Sequence, residues 1–224
     1  MVGIGVALLI GGLVSGVAEW RSRQNDAAQT ELAAIESRFT TAMGANPGEY
    51  FVPEPANADQ AAKAREAALV EIDAFVTAHS GSDLAAIAVI KAAELEVDLG
   101  KLDAADTRLA ALAGSLGPEN PKRAIALRLR GYTLDQRGQT LAAAETYADA
   151  AKVQTYPARG VLWIEAGDCF ARAKAPNRAV AAYREALATA PELSEQLHVV
   201  QRIGIQQALI DSAPPPAAPA PSAP

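Results

Sequence analysis

The side chains that could do chemistry here are His79, His198, Cys169 and the carboxylates Glu94, Glu96 and Asp98. Their spacing argues against a reactive site. The two histidines lie far apart in sequence, and neither has a second ligand at the short intervals that build a metal centre. Cys169 is the only cysteine, so no internal disulfide can form. It has no His or Asn motif beside it and sits between Gly167 and Phe170 on a helix-forming run, where a buried structural thiol is expected rather than a nucleophile. Glu94, Glu96 and Asp98 read as a solvated acidic face. No strand pattern precedes a Gly-rich phosphate loop. The expectation is therefore a non-enzyme with no catalytic residues, no metal, no cofactor and no small-molecule substrate.

The elements that hold these residues are helices. The chain has 224 residues, is 50% hydrophobic but only 5% aromatic, and is rich in alanine, the best intrinsic helix former. An all-α fold follows. Lys+Arg 20 against Asp+Glu 26 gives a net charge of -6, which removes the electrostatic basis for phosphate-backbone binding, so nucleic acid is not an expected partner.

From Val2 to Ala18 no residue is charged, and at about 1.5 Å per residue this run reaches roughly 25 Å, the short end of what crosses a bilayer. Glu19, Trp20, Arg21 and Arg23 form a polar exit with an interfacial aromatic. Residues 1–20 are read as a transmembrane anchor, with a cleaved signal peptide the alternative, since Gly16 and Ala18 are small at cleavage-site spacing. Within the run Gly3, Ala7, Gly11 and Ser15 recur every four residues and offer a smooth face for packing against another helix. Arg21 and Arg23 alone would draw the downstream side towards the cytoplasm.

Residues 21–57 are expected to hold a helical extension with Leu32, Ile35 and Phe39 in one stripe, followed by the Pro/Gly-rich linker "GANPGEYFVPEP". The helical repeat domain is placed at 58–211. It opens with a helix capped near Asn57 or Asp59 and running to about His79, carrying Leu69, Ile72, Phe75 and Val76 inward. Residues 212–224 are a Pro/Ala-rich tail, read as disordered.

In "GVLWIEAGDCFARAKAPNRAVAAYREALATAP", Gly160 to Pro191, the residues Trp163, Gly167, Phe170, Ala179, Tyr183, Ala186 and Pro191 fall without a gap on positions 4, 8, 11, 20, 24, 27 and 32 of a 34-residue template. This resembles the tetratricopeptide repeat. The preceding unit keeps Leu127, Gly131, Leu134, Ala143, Tyr147 and Ala150, and a degenerate unit begins near Ala86 with Val89, Ala93, Ala105 and Leu109. "ELSEQLHVVQRIGIQQALI", Glu192 to Ile210, reads as the solvating cap helix of the stack. The fold class is thus an N-terminal transmembrane helix followed by an α-solenoid of tetratricopeptide-type helix pairs.

The order of parts, one short span with a Trp at its exit, a helical region, "FVTAHSGSDLAAIAVIKAAELEVDLGKLDAADTRLAAL" and two repeats, resembles the ancillary SecYEG translocon subunit family. That resemblance implies a single-pass protein of the bacterial inner membrane with its repeat domain in the periplasm. It also implies protein partners, namely translocon subunits or a membrane-anchored periplasmic chaperone, and a chaperone-like or scaffolding role towards exported proteins. An interaction subunit of another envelope complex, for outer-membrane assembly, motility or secretion, is the alternative. The tetratricopeptide resemblance further implies that the first helix of each repeat lines a concave groove. Carried onto this register, the candidate protein-binding residues are Arg128, Tyr132, Asp135 and Gln136, then Ile164, Asp168 and Arg172, with Ile125, Val161 and Ala171 on the same positions.

Overall fold

The computed structural model of the chain describes residues 25–46, 53–55, 57–196 and 198–212. The expected anchor over residues 1–20, with its Gly3, Ala7, Gly11 and Ser15 stripe, lies outside the described residues, as does the tail from 213. Among the described residues no helix is long and apolar enough to cross a membrane, and there is no strand. The fold is all-α, in two compact units that divide between Lys101 and Leu102.

The first unit contains α1 (25–42), α2 (Ala58–Ala78) and α3 (Asp83–Asp98). Asn57 starts α2 by accepting from the backbone N–H groups of Asp59 and Gln60, which satisfies two donors that the first turn leaves orphaned. Leu32 and Ile35 of α1, Ile72 and Phe75 of α2, and Ala88, Ala92 and Leu95 of α3 form one buried cluster, with Phe39, Leu69 and Val76 packed against its edge. The two inward stripes expected from sequence are therefore the ones used.

Glu96 departs from expectation. It is only 4% exposed, whereas Glu94 and Asp98 are exposed. At about 100° per residue, positions two apart lie on opposite sides of a helix, so Glu94 and Asp98 share the solvated face and Glu96 cannot. The opposite side is sealed because α3 is lined with small residues, Ala92 and Ala93 among them at 0%.

The second unit is a succession of helices: α4 (Leu102–Ser115), α5 (Pro121–Gln136), α6 (Thr140–Ala151), α7 (Arg159–Arg172), α8 (Pro176–Thr189), the short α9 (Leu193–Gln196) and α10 (Val199–Asp211). From α4 to α8 each helix packs on the next, and α10 packs on α8. Proline occupies the first turn of α5 and of α8, where its missing N–H costs nothing. Ala190, ahead of Pro191, leaves the helical region with φ -145 and ψ 78, as a residue before proline must.

Two hairpins, α5–α6 and α7–α8, turn on the same backbone device. In the first, Gly138 takes φ +77 and Gln139 N–H donates to the Leu134 carbonyl at 2.9 Å. In the second, Lys174 holds that left-handed position at φ 57, and Ala175 N–H donates to Phe170 at 2.9 Å.

Inside each hairpin the glycine at repeat position 8 lies under the tyrosine at position 24. A Cβ on Gly131 would meet the Tyr147 ring at 3.0 Å, and one on Gly167 would meet Tyr183 Cδ1 at 2.6 Å and Cε1 closer still. The small residues Ala143, Ala150, Ala179 and Ala186 are all at 0% exposure, so the paired helices approach to backbone distance.

The run from Glu192 to Ile210, expected to be one solvating helix, is broken. His198 sits at φ 51 between α9 and α10. The break lets α10 swing onto α8, where Val199 reaches 0% exposure. Nor is the outer side of α10 polar, since Val200, Ile205 and Leu209 are exposed on it.

Candidate functional site

The candidate groove residues all lie on α5 and α7, and the structure brings most of them together on one exposed face. Arg128 donates through Nε and Nη2 to the Glu165 carboxylate at 3.1 and 2.5 Å. Asp135 accepts from Arg172 Nη2 at 2.5 Å. Asp168 accepts from Arg202 Nη1 on α10 at 2.6 and 2.5 Å and from the Tyr183 hydroxyl at 2.7 Å. Cations and carboxylates thus alternate from α5 across α7 to α10 in three ion pairs.

These pairs are partly solvated. Arg128 and Arg172 keep about half of their side-chain surface, 48% and 53%, so each pair is worth at most about 1 kcal/mol. The hydrogen bonds to Glu165 and to Asp135 hold the two guanidiniums more firmly protonated than an isolated arginine. The electrostatic result is a face whose charges are locally neutralised while several guanidinium N–H groups remain available.

Apolar surface on this face comes from α5. Tyr132 is 45% exposed and Ile125 39% exposed, two turns apart on the same side as Arg128. Gln136 is exposed at the end of the stripe. Ile164, expected to add apolar surface, is instead 4% exposed and belongs to the core. Its neighbour Glu165 takes the surface position and meets Arg128.

Cys169 lies just beneath the face at 3% exposure. Burial is the main cause that pushes its thiol up to about 11, although Arg172 Nη2 approaches Sγ at 3.1 Å. Such a thiol is a poor nucleophile. Burial also raises the Tyr147 phenol and, with the hydrogen bond that it donates to Asp168, the Tyr183 phenol. His79 belongs to the first unit, where Nε2 stands 3.0 Å from Glu31 and the ring lies against Phe75. Among the described residues no group of three or more His, Cys, Asp or Glu side chains could hold a metal ion.

The repeat geometry has a counterpart in sequence comparison: the family model described as the tetratricopeptide repeat-like domain matches residues 1–203. The chain belongs to this family. No curated protein matches it. Tetratricopeptide repeat-like domains are protein-interaction modules, and typically non-catalytic ones.

Two members of the face were not singled out from sequence, Glu165 and Arg202. Arg202 follows Asp168 by 34 residues, one tetratricopeptide period, so α10 stands where the first helix of a further repeat would stand. That period was the available clue. Glu165 lies four residues after Val161 and three before Asp168, on the same helical face.

Proposed function

We propose that the chain is a membrane-anchored tetratricopeptide scaffold with a chaperone-like role in the bacterial cell envelope. In this reading residues 1–20 anchor it in the inner membrane, the repeat domain stands on the periplasmic side, and it binds export-machinery partners or exported clients. The observation that carries the binding role is the face of α5, α7 and α10. Tyr132 and Ile125 stand exposed beside three ion pairs that cancel one another's charge. Such a face suits an extended, largely uncharged polypeptide: the tyrosine supplies a flat amphipathic anchor, and the guanidiniums donate to backbone carbonyls. Support for the envelope setting comes from the sequence alone, through the uncharged run from Val2 to Ala18 and the order of parts that resembles the translocon-associated family.

In this proposal Gly3, Ala7, Gly11 and Ser15 pack the anchor against a membrane helix of the partner. Copurification from detergent tests the reading. The tagged full chain should recover translocon subunits, and Tyr132→Ala with Ile125→Ala should weaken capture about 30-fold, the loss of roughly 2 kcal/mol at a binding hot spot. Recovery of an unrelated envelope machine, or undiminished capture by the double variant, would contradict it. Protease added outside spheroplasts should degrade the repeat domain, and protection would overturn the periplasmic placement.

A further inference from the structure

The face of α5 and α7 has N–H groups to spare. Among the described residues Arg128 donates to Glu165 through Nε and Nη2 but not through Nη1. Arg172 donates through Nη2 alone, to Asp135 and to the Cys169 sulfur. Guanidinium nitrogens are donors only, so a chain that supplies carbonyl oxygens suits them, beside the Tyr132 ring at 45% exposure. Residues 213–224, APPPAAPAPSAP, follow α10 and lie outside the described residues. Six of these twelve residues are proline, and none carries an ionisable side chain. Each proline lacks a backbone N–H, so the segment offers more acceptors than donors. Proline also sets φ near the polyproline II value, at which the carbonyls make no internal hydrogen bonds. With three residues per turn, Pro216 and Pro219 share one side of that path, as do Pro221 and Pro224. Proline pairs at this spacing dock on aromatic side chains.

We propose that residues 213–224 fold back over the α7–α5 face of the same chain, with Pro219 against Tyr132 and tail carbonyls on Arg172 and Arg128, and so compete with incoming polypeptides. The contact rests on the reading of this face as a binding surface for extended, uncharged chain. The reach is sufficient. The pairs Arg128–Glu165 and Asp135–Arg172 share an offset of 37 residues, so α5 and α7 run parallel. Tyr132 is then level with Cys169, one residue past the Asp168 that Arg202 of α10 meets. Ser212 lies ten residues beyond Arg202, about 15 Å along the helix direction. From α10 to α5 there are two helix steps, about 20 Å at ordinary interaxial distances. The resulting gap of about 25 Å takes about eight residues of polyproline II, which brings Pro219 and Ala220 to Tyr132 and leaves Pro216 above α7. Charge agrees as well. The three ion pairs cancel on the face, and an uncharged tail buries no unpaired ion there. A short tether holds the tail at an effective concentration in the millimolar range, so a contact weak in itself is still occupied and a partner must displace it.

An aromatic photo-cross-linking amino acid at Tyr132 tests the contact in the purified full chain, dilute in detergent. Proteolysis and mass spectrometry of the monomer should find position 132 joined to residues 216–224. The same amino acid at Glu185, on exposed surface of α8 beside α10, is within the tail's reach and should give no such adduct. Pro216→Gly with Pro219→Gly should cut the yield about fivefold or more, since glycine frees the path that proline fixes. Circular dichroism should stay unchanged, because both positions lie beyond α10. In envelope membranes, removing residues 213–224 should raise adducts of position 132 with other proteins about 3–10-fold, the release from a tethered competitor. Tail adducts as strong from 185 as from 132, adducts that join two chains, or a yield unmoved by the two glycines would overturn the proposal, as would protein adducts that do not rise without the tail. Adducts with other proteins but none with the tail would overturn it and leave the face its binding role. No adduct of any kind from 132 would overturn both.

Discussion

Replacing Gly167 with alanine adds one methyl where the structure has no room for it. In the middle of α7 the change alone should help, since alanine is better than glycine in a helix interior by about 1 kcal/mol. Here, however, the new Cβ lies 2.6 Å from Tyr183 Cδ1 and nearer still to Cε1. The ring cannot retreat cheaply, because it is 2% exposed and its hydroxyl is held by Asp168, which Arg202 holds in turn. Overpacking of this kind costs about 1–3 kcal/mol. The net expectation is a loss of about 1–2 kcal/mol for Gly167→Ala, or several degrees in Tm. Gly131→Ala is the internal control. Its Cβ meets the Tyr147 ring at 3.0 Å, a gap that a few tenths of an ångström relieves, so propensity and crowding should cancel to within about 1 kcal/mol. Thermal and denaturant unfolding of the two variants and the parent, followed by circular dichroism, gives the comparison. A third variant isolates the cause: in a Tyr183→Leu background, where the branched methyls can turn away, Gly167→Ala should no longer destabilise. The packing argument is refuted if Gly167→Ala is as stable as the parent, or if Gly131→Ala costs more.

Two further outcomes are expected. Lys174→Gly should stabilise the second unit by about 0.5–1 kcal/mol, because Lys174 holds φ 57 in the turn where Gly138 does the same work, and a side chain there costs about 1–2 kcal/mol against glycine's extra backbone entropy; an unfolding midpoint at or below the parent's would contradict this. Cys169 should resist alkylation at pH 8, with roughly 100-fold less thiolate than an unfolded thiol of ordinary pKa, since burial pushes it up to about 11 from the ordinary 9.0. The folded state then holds the proton more tightly, so the thiol's contribution to stability is complete below pH 9 and is lost as the pH rises towards 11. Cys169→Ala should flatten that part of the stability curve, and an unchanged alkaline limb would count against the assignment.

The parts of the fold that could be read from sequence were those set by local rules. Asn57 caps α2 because an Asx side chain at that position satisfies the first N–H groups, and Leu32, Ile35, Ile72 and Phe75 face inward because a 3.6-residue period leaves them no other side. The hairpins were legible because Gly131, Gly167, Tyr147 and Tyr183 keep a fixed spacing that only close helix contact explains. The less legible features depend on residues distant in sequence. Repeat register places Arg128, Asp135, Asp168 and Arg172 along one face, yet it carries no information on whether Glu165 or Arg202 will neutralise them. Ile164 and Glu165 are adjacent, and a small rotation of α7 decides which of them reaches the surface. For α10 the hydrophobic pattern was visible, but whether Val200, Ile205 and Leu209 are covered depends on which helix comes next in the stack.

The central claim is that the α5–α7–α10 face is where this tetratricopeptide protein takes hold of its partners. A photo-cross-linking amino acid placed at Tyr132, and in a separate chain at Glu185 on the exposed surface of α8, tests it most directly in native envelope membranes. An adduct with a translocon subunit or an exported protein is expected from position 132 and none from 185. Adducts from 185 with none from 132 would contradict it.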